Sequence, residues 1–294
     1  MFNTLKYYKL WMTVSGLILV FGVASLLTFG LNLGIDFTGG SLTEIKFQKA
    51  YDQNAISQIL SEKGLEGFQL QTTENNGLLI KTKPLKKEEL DAITDALKEK
   101  VGDHEVSRFE SIGPVVGKEL KQKAFYQLAL VSLGILIYIG YAFRKIAKPV
   151  TPWKFGVAAV IALFHDLLFV LGLFSILGHY KGIEIDSMFV TAMLTVLGFS
   201  VHDTIVVFDR IRENLKLYAG HSIDYIINHS ISQTIVRSLN TSLTVLFVLL
   251  ALLLFGGESI RYFVLALFIG IIVGTYSSIF IASPMLMLMN KKKK

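Results

Sequence analysis

The chain contains no cysteine, which excludes disulfides, thiolate-bound metals and thiol-based catalysis. Charged residues are also scarce at 18%, and there are only five prolines in 294 residues. Hydrophobic residues make up 52% of the sequence, and the mean hydropathy is +0.53. A composition this apolar indicates an integral membrane protein and argues against a soluble globular one.

The net charge of +6 does not indicate a nucleic-acid partner. Much of the basic excess lies in short segments beside apolar runs and in the terminal Lys291–Lys294. This distribution is typical of membrane topology, so we expect contact with lipid and no binding of nucleic acid.

Six apolar runs have about the 20-residue length that a transmembrane helix requires. They are Trp11–Leu31, Ala124–Phe143, Trp153–Leu177, Ser187–Phe208, Leu239–Phe255 and Tyr262–Met289. The first run is longer than the core of a signal peptide, so we expect it to remain as an anchored helix. The sequence therefore predicts four segments: a stub and first span over 1–31, an α+β domain over 32–123, a five-helix region over 124–289 and a basic tail over 290–294.

In residues 32–123, apolar and polar residues alternate and turn residues separate the segments, as in a small soluble domain. The patterns predict, in order, strand Leu42–Gln48, helix Asn54–Lys63, strand Phe68–Thr73, a turn at Glu74–Gly77, strand Leu78–Lys83, helix Lys86–Val101 and strand His104–Ile112. This βαββαβ order is that of a ferredoxin-like unit. The fold class is thus predicted as a six-helix membrane protein with a ferredoxin-like domain between its first two spans. The domain has no nucleophile–base pair or metal spacing, and we interpret it as a contact surface.

Polar residues interrupt the apolar pattern at three places. His165-Asp166 lies in the third span and His202-Asp203 in the fourth. An aspartate at the centre of an inserted helix costs roughly 2.5–3.5 kcal/mol, and such residues often mark ion or proton paths. A helix-locking hydrogen bond is the alternative interpretation. The third place is a stripe at helical spacing, formed by Ser230, Thr234, Arg237, Thr241 and Thr244. This stripe would suit Asp203, so we predict that Asp203 pairs with Arg237.

Two further interpretations of the His-Asp pairs are less favoured. Adjacent helical residues point about 100° apart, so neither pair is arranged to bind one metal ion. An aspartic-protease dyad of Asp166 and Asp203 would be disturbed by Arg237. In the last span, small residues recur every fourth position at Ala266, Gly270, Gly274, Ser278 and Ala282. This pattern predicts a helix-packing seam, and a sliding seam is the alternative interpretation.

Several segments resemble the SecF family of bacterial protein-export membrane subunits. The fourth-span segment SVHDTIVVFDRIREN (Ser200–Asn214) is similar to the family signature, which usually has Asn where this chain has His202. The other matching segments are GIDFTGG (34–40), IGPVVGKEL (112–120), the third-span His-Asp pair and SISQTIVRSLNTSLT (230–244). The matches lie in order over most of the chain, and the family belongs to the resistance-nodulation-division superfamily, in which proton flow drives transport.

The resemblance implies that Asp203 is a proton-carrying carboxylate and that Arg237 is its partner. Thr234 and Thr241 of the polar stripe, and His202, which departs from the family signature, are expected to support the site as membrane-depth polar residues. The resemblance itself implies supporting roles for His165, Asp166 and Asp209. It further implies no enzyme activity and no cofactor, but use of a proton gradient, with sodium left open. The expected partners are SecD, the SecYEG channel and the translocating preprotein, and the expected location is the bacterial cell membrane. We expect a chain separate from SecD, since the sequence begins with its own short stub.

Two alternatives remain. The chain could be a passive assembly subunit in which Asp203 and Arg237 form a structural ion pair. It could also be a small-molecule exporter of the same superfamily, although those proteins usually have twelve spans and much larger outer domains.

The distribution of Lys and Arg predicts the topology. If the spans alternate, one side receives Lys6, Lys9, the basic residues of 144–154 and 210–216, and the terminal lysines, while the opposite short loops hold only Lys181 and Arg261. The positive-inside rule therefore places both termini in the cytoplasm and residues 32–123 outside.

Single cysteines test this topology, because the chain has none of its own. An impermeant thiol reagent added to intact cells or spheroplasts should label Asp95→Cys and spare Tyr218→Cys, since only position 95 is predicted outside. Both variants should react after the membrane is permeabilised. The reverse labelling pattern would contradict the topology.

Overall fold

The computed structural model describes residues 4–65, 67–73, 76–144 and 150–290. Its α-helices are, in chain order, α1 Tyr8–Thr28, α2 Ile35–Thr38, α3 Gln53–Glu62, α4 Lys87–Lys100, α5 Pro114–Ala142, α6 Pro152–Lys181, α7 Ser187–Leu217, α8 Ile223–Phe255, α9 Arg261–Ser277 and α10 Ser283–Asn290. The strands are β1 Gly40–Phe47, β2 Gln69–Thr73, β3 Gly77–Thr82 and β4 His104–Ile112. Short 3-10 turns occupy Thr4–Tyr7 and Glu258–Ile260, and a π-helical segment, Ser278–Ala282, joins α9 to α10.

The chain forms two compact units. One unit comprises residues 33–125, and the other comprises 1–32 with 126–294. In the first unit, four antiparallel strands are ordered β2-β3-β1-β4, which is the sheet order of a split βαβ unit. The second unit is helical. The predicted fold class, a membrane helical protein with a small α+β domain, is confirmed.

The core of residues 33–125 forms because alternate strand residues and one face of each helix are apolar. Ile45, Phe47, Leu78 and Ile80 of β1 and β3 pack against residues of α3 and α4 that are spaced three and four apart. Those helix residues are Ile56, Ile59, Leu60, Ile93 and Leu97.

Side-chain contacts at the helix ends support this core. The Asp52 side chain caps the first turn of α3. Lys100 at the end of α4 donates a hydrogen bond to Glu62 of α3 at 2.6 Å. This hydrogen bond and the ammonium charge lower the pKa of the exposed Glu62 carboxyl.

Three glycines let the start of this unit fold closely on itself. Gly39 and Gly40 have φ angles of +76° and +141°, which L side chains rarely adopt. Gly117 of α5 lies against α2, where a Cβ atom would come within 2.9 Å of Gly39 N and 3.2 Å of Phe37 C. Both contacts are with backbone atoms, so a side chain here would force the α2 turn away from α5.

Within the described residues, six helices are long and apolar enough to cross a membrane. Several continue well beyond the predicted apolar runs. The largest difference is in α8, which begins at Ile223 and not near Leu239, so the polar stripe and the apolar run share one helix. Hydropathy detects only the lipid-length part of a helix, whereas its backbone hydrogen bonds continue through polar residues.

The interior of the helical unit is built from α6, α7 and α9, with α8 packed against α7 and α9 and α1 against α6. Close approach depends on small residues. A Cβ atom at Gly172 of α6 would meet the backbone of Gly22 of α1, and one at Gly274 of α9 would come within 2.9 Å of Ser200 Cβ. A Cβ atom at Gly270 would overlap Val196. Gly270, Gly274 and Ser278 therefore lie at a packing seam between α9 and α7.

Some sequence predictions fall outside the described residues. They are positions 74 and 75 of the predicted turn, Lys145 and Lys148 of the predicted basic loop, and the tail lysines 291–294. At the described end of the turn, Asn76 has φ +58°, a conformation that asparagine tolerates better than most residues.

The tight contact at Gly117 yields a stability prediction. Gly117→Ala should destabilise the protein by about 1–3 kcal/mol, because the new methyl group must displace backbone. Gly134→Ala on the same helix is the matched control, since nothing lies within 4 Å of its Cβ position. Alanine there should be neutral or should stabilise α5 by up to about 1 kcal/mol. Unfolding of the purified full chain measures both, and equal midpoints would contradict the prediction.

Candidate functional site

Asp203 lies on α7 with 5% of its surface exposed, facing α8. The side chain that interacts with it across this interface is Ser238 of α8. The interaction is incomplete, because Asp203 Oδ2 and Ser238 Oγ are both buried without a hydrogen bond of acceptable geometry. A buried carboxyl oxygen without a donor is costly, and each such group in a folded protein calls for an explanation.

The predicted ion pair between Asp203 and Arg237 is not formed in this structure. Arg237 lies on the exposed face of α8, and within the described part of the chain its guanidinium joins no ion pair. The neighbouring Ser238 faces Asp203 in its place. The functional role of Arg237 is a separate question and stays a prediction.

The reason lies in the spacing of the buried face of α8. The buried hydroxyl residues are Ser230, Thr234, Ser238 and Ser242, at steps of four. The predicted stripe took a step of three from Thr234 to Arg237, which is equally compatible with a helix. Successive residues point about 100° apart, so Arg237 and Thr241 fall on a neighbouring, exposed face.

Asp166 on α6 has the opposite environment from Asp203. It is fully buried, and its Oδ2 accepts hydrogen bonds from Ser200 Oγ of α7 at 2.6 Å and from Ser277 Oγ of α9 at 2.8 Å. Its Oδ1 lies 3.0 Å from Nδ1 of the buried His165. One carboxylate thereby joins three helices.

The end of α9 contributes one hydroxyl to each of its neighbours. Thr275 Oγ1 shares a hydrogen bond with Ser242 of α8, Ser277 donates to Asp166 of α6, and Ser278 Oγ lies 2.9 Å from Thr204 Oγ1 of α7. Ser278 is also the first residue of the π-helical segment. Segments of this kind are frequent at functional sites.

The other predicted site residues are more scattered. His202 is exposed beside Asp203. Asp209 is partly exposed and forms an ion pair with Arg212, with 2.6 Å between Oδ1 and Nη2. Thr234 and Thr241 donate to carbonyl oxygens of their own helix, namely those of Ser230 and Arg237. Only Thr234 of these four is buried.

The sequence reasoning missed four polar contacts near the site. Ser238 and the Asp166 donors Ser200 and Ser277 were overlooked because single serines in apolar runs carry no distinct signal. The fourth is Gln233, whose Oε1 accepts hydrogen bonds from Arg210 Nε and Asn214 Nδ2 and so joins α7 to α8. The four-residue spacing of Ser230, Thr234 and Ser238 could have identified Ser238. Among the described residues, no cluster of His, Cys, Asp and Glu is arranged to hold a metal ion.

Two family models match the chain. Residues 92–292 match the C-terminal model of the protein export membrane proteins SecD/SecF, and residues 24–50 match the SecD/SecF GG motif. The second match contains Gly39 and Gly40.

Individual relatives agree with these models. The protein translocase subunit SecF of Thermobaculum terrenum is 46% identical over 97% of this chain and 93% of its own length. That of Sebaldella termitidis is 39% identical over 99% and 92%, respectively.

A solved structure shares the fold. The crystal structure of SecDF, a translocon-associated membrane protein from Thermus thermophilus, superposes with a TM-score of 0.85 at 34% identity. The match covers 99% of this chain but only 39% of SecDF, so this chain spans well under half of that protein. With relatives over nearly its whole length and the fold of that part of SecDF, the chain is a multi-pass membrane protein that belongs to the SecF group of the SecD/SecF family.

Proposed function

We propose that this chain, together with SecD, uses the proton motive force to promote export of preproteins through the SecYEG channel. The observation that carries the proposal is Asp203: a carboxyl group in a membrane-spanning helix, buried at the α7–α8 interface, with one oxygen that has no hydrogen-bond donor. Ionisable residues at membrane depth are expensive and are commonly kept for proton or ion transfer.

The chemistry requires two states of this carboxyl group. A proton on Asp203 removes its charge and supplies an O–H group that can donate a hydrogen bond to Ser238 Oγ. Loss of the proton leaves a negative charge that needs a cation, and Arg237 directly precedes Ser238 on α8. Rotation of α8 by less than 100° would exchange one partner for the other, because the arginine side chain is long.

The energy available per proton is sufficient for such a switch. One charge that crosses 100 mV gains about 2.3 kcal/mol. Since about 1.4 kcal/mol corresponds to a tenfold change in an equilibrium, each proton could shift the two α8 positions by roughly fiftyfold. The domain at 33–125 would convey the movement to the exported chain on the outer side.

The exposed face of α8 supports a membrane partner, for which we propose SecD. Arg237, Asn240, Thr241 and Thr244 are all exposed on this helix, within a candidate transmembrane span. Such groups are poor neighbours for lipid tails and usually face other protein or water. A partner helix that presents polar or acidic groups would cover them. We further propose that both termini are cytoplasmic and that the membrane is the bacterial cell membrane.

The rival proposal of a passive assembly subunit is less well supported. A structural ion pair would hold Asp203 with matched donors, as Asp166 is held, yet Asp203 Oδ2 has none. A small-molecule exporter finds no support in the names of the relatives, which are translocase subunits. Sodium is the remaining alternative to the proton, and transport measured in sodium-free buffer distinguishes them.

The deciding variant is Asp203→Asn, which keeps the shape of the side chain and cannot carry a proton. We expect normal insertion but loss of gradient-dependent export, measured per unit of assembled SecD-containing complex with and without a proton gradient. Glu213→Gln is the matched control, because this carboxylate lies on the same helix, is exposed and is paired with Arg210. Full gradient-dependent export by Asp203→Asn would refute proton transfer at this site.

Arg237→Ala separates a functional role from a structural one. The side chain is exposed and joins no ion pair among the described residues, so its loss should change the stability of the chain alone by no more than about 0.5 kcal/mol. Gradient-dependent export should nevertheless fall, because the ionised carboxylate would lack its cation. Arg237→Lys should be nearly as impaired, since an ammonium does not reproduce the planar guanidinium. Normal export by both variants would exclude Arg237 from the switch.

A further inference from the structure

Asp166 is a second buried carboxyl group that the proposed proton transfer does not use. Its two oxygens have three potential donors on three elements: Ser200 on α7, Ser277 on α9 and its neighbour His165 on α6. Both oxygens of the carboxyl group are engaged by these contacts, so the arrangement suits a group that stays in place.

The contacts of Asp166 lie close to Asp203 along α7. Ser200 precedes Asp203 by three residues, which places the two side chains about one helical turn apart on the same side of α7. Thr204, which follows Asp203, is bonded to Ser278, the residue next to Ser277. The backbone on both sides of Asp203 is therefore held by contacts that originate at Asp166 and at the end of α9.

The α8 side of Asp203 lacks comparable restraint. Ser238 approaches Asp203 without completing a hydrogen bond, whereas the contacts on the α6 and α9 side are complete. Helices α6, α7 and α9 are thus linked around Asp166. Asp203 itself completes no hydrogen bond to α8, which is joined to α7 through Gln233 and to α9 through Ser242.

We infer that Asp166 is a positioning residue, which fixes α7 through Ser200 and α9 through Ser277 and thereby sets where Asp203 meets α8. This inference rests on the proposed function in one respect, namely that Asp203 exchanges protons. Asp166 itself keeps its hydrogen bonds in both states and does not exchange a proton with the transport path.

Dicyclohexylcarbodiimide tests this assignment, because it is an apolar reagent that adds to protonated carboxyl groups within membranes. The full chain in lipid nanodiscs is treated from pH 5 to pH 9, and modified carboxyl groups are identified by mass spectrometry. In the unmutated chain, Asp203 should be modified in a pH-dependent manner and Asp166 should not. Modification of Asp166 over the same pH range would overturn the inference.

Variants of the donors then test positioning without altering either carboxyl group. Ser277→Ala removes one donor to Asp166, and we expect the rate of Asp203 modification at a given pH to change roughly two- to tenfold, the effect of one hydrogen bond. Ser200→Ala should act in the same way and serves if the first variant does not fold. The control is Ser25→Ala, which removes a buried hydroxyl bonded to Ser175 between α1 and α6 and should leave the pH profile unchanged.

The two failures are distinguishable. If Asp203 is never modified in the unmutated chain, the proposed proton exchange fails and this inference fails with it. If Asp203 is modified but the Ser277→Ala and Ser200→Ala profiles match that of Ser25→Ala, only the positioning role fails.

Discussion

A carboxyl group inside a membrane protein must find its hydrogen bonds within the protein, because no water is available in the surrounding hydrocarbon. The bundle meets this constraint differently at its two central aspartates. Asp166 has donors to both oxygens, whereas Asp203 has a buried oxygen with none. In the proposed mechanism, this difference in hydrogen bonding makes Asp166 the fixed group and Asp203 the group that changes its protonation.

The donors reach Asp166 because α9 packs unusually closely against its neighbours. Gly270 and Gly274 leave no room for side chains where α9 meets Val196 and Ser200 of α7. This proximity allows the consecutive residues Ser277 and Ser278 to bond to α6 and α7, respectively. In a membrane, packing and hydrogen bonds replace the hydrophobic effect as the force that holds helices together. The glycines of α9 therefore bring the helices close enough for the hydroxyl groups at its end to form these hydrogen bonds.

Outside the bundle, backbone geometry has a similar role. The GG motif, Gly39-Gly40, adopts φ angles that other residues avoid, and Gly117 of α5 admits the backbone of this turn. Three glycines in two distant segments thus fit one turn against the beginning of a long helix. In the membrane unit, α5 and α8 keep largely exposed apolar surfaces, and α8 adds exposed polar groups to them. In the proposed assembly, lipid and a partner subunit would cover these surfaces.

The sequence alone determined the elements that depend on local periodicity. Apolar length located six spans, alternation and turn residues located β1 to β4, and the predicted strand His104–Ile112 agrees with β4 at both ends. The four-residue repeat of Gly270 and Gly274 indicated the packing seam. What the sequence left undecided was which of two adjacent faces α8 turns inward, since steps of three and four both fit a helix. Only the packing of α7, α8 and α9 selected Ser238 over Arg237 as the residue that faces Asp203. The tertiary structure likewise brought Ser200 and Ser277 to Asp166, because hydrogen bonds between residues far apart in sequence leave no local pattern.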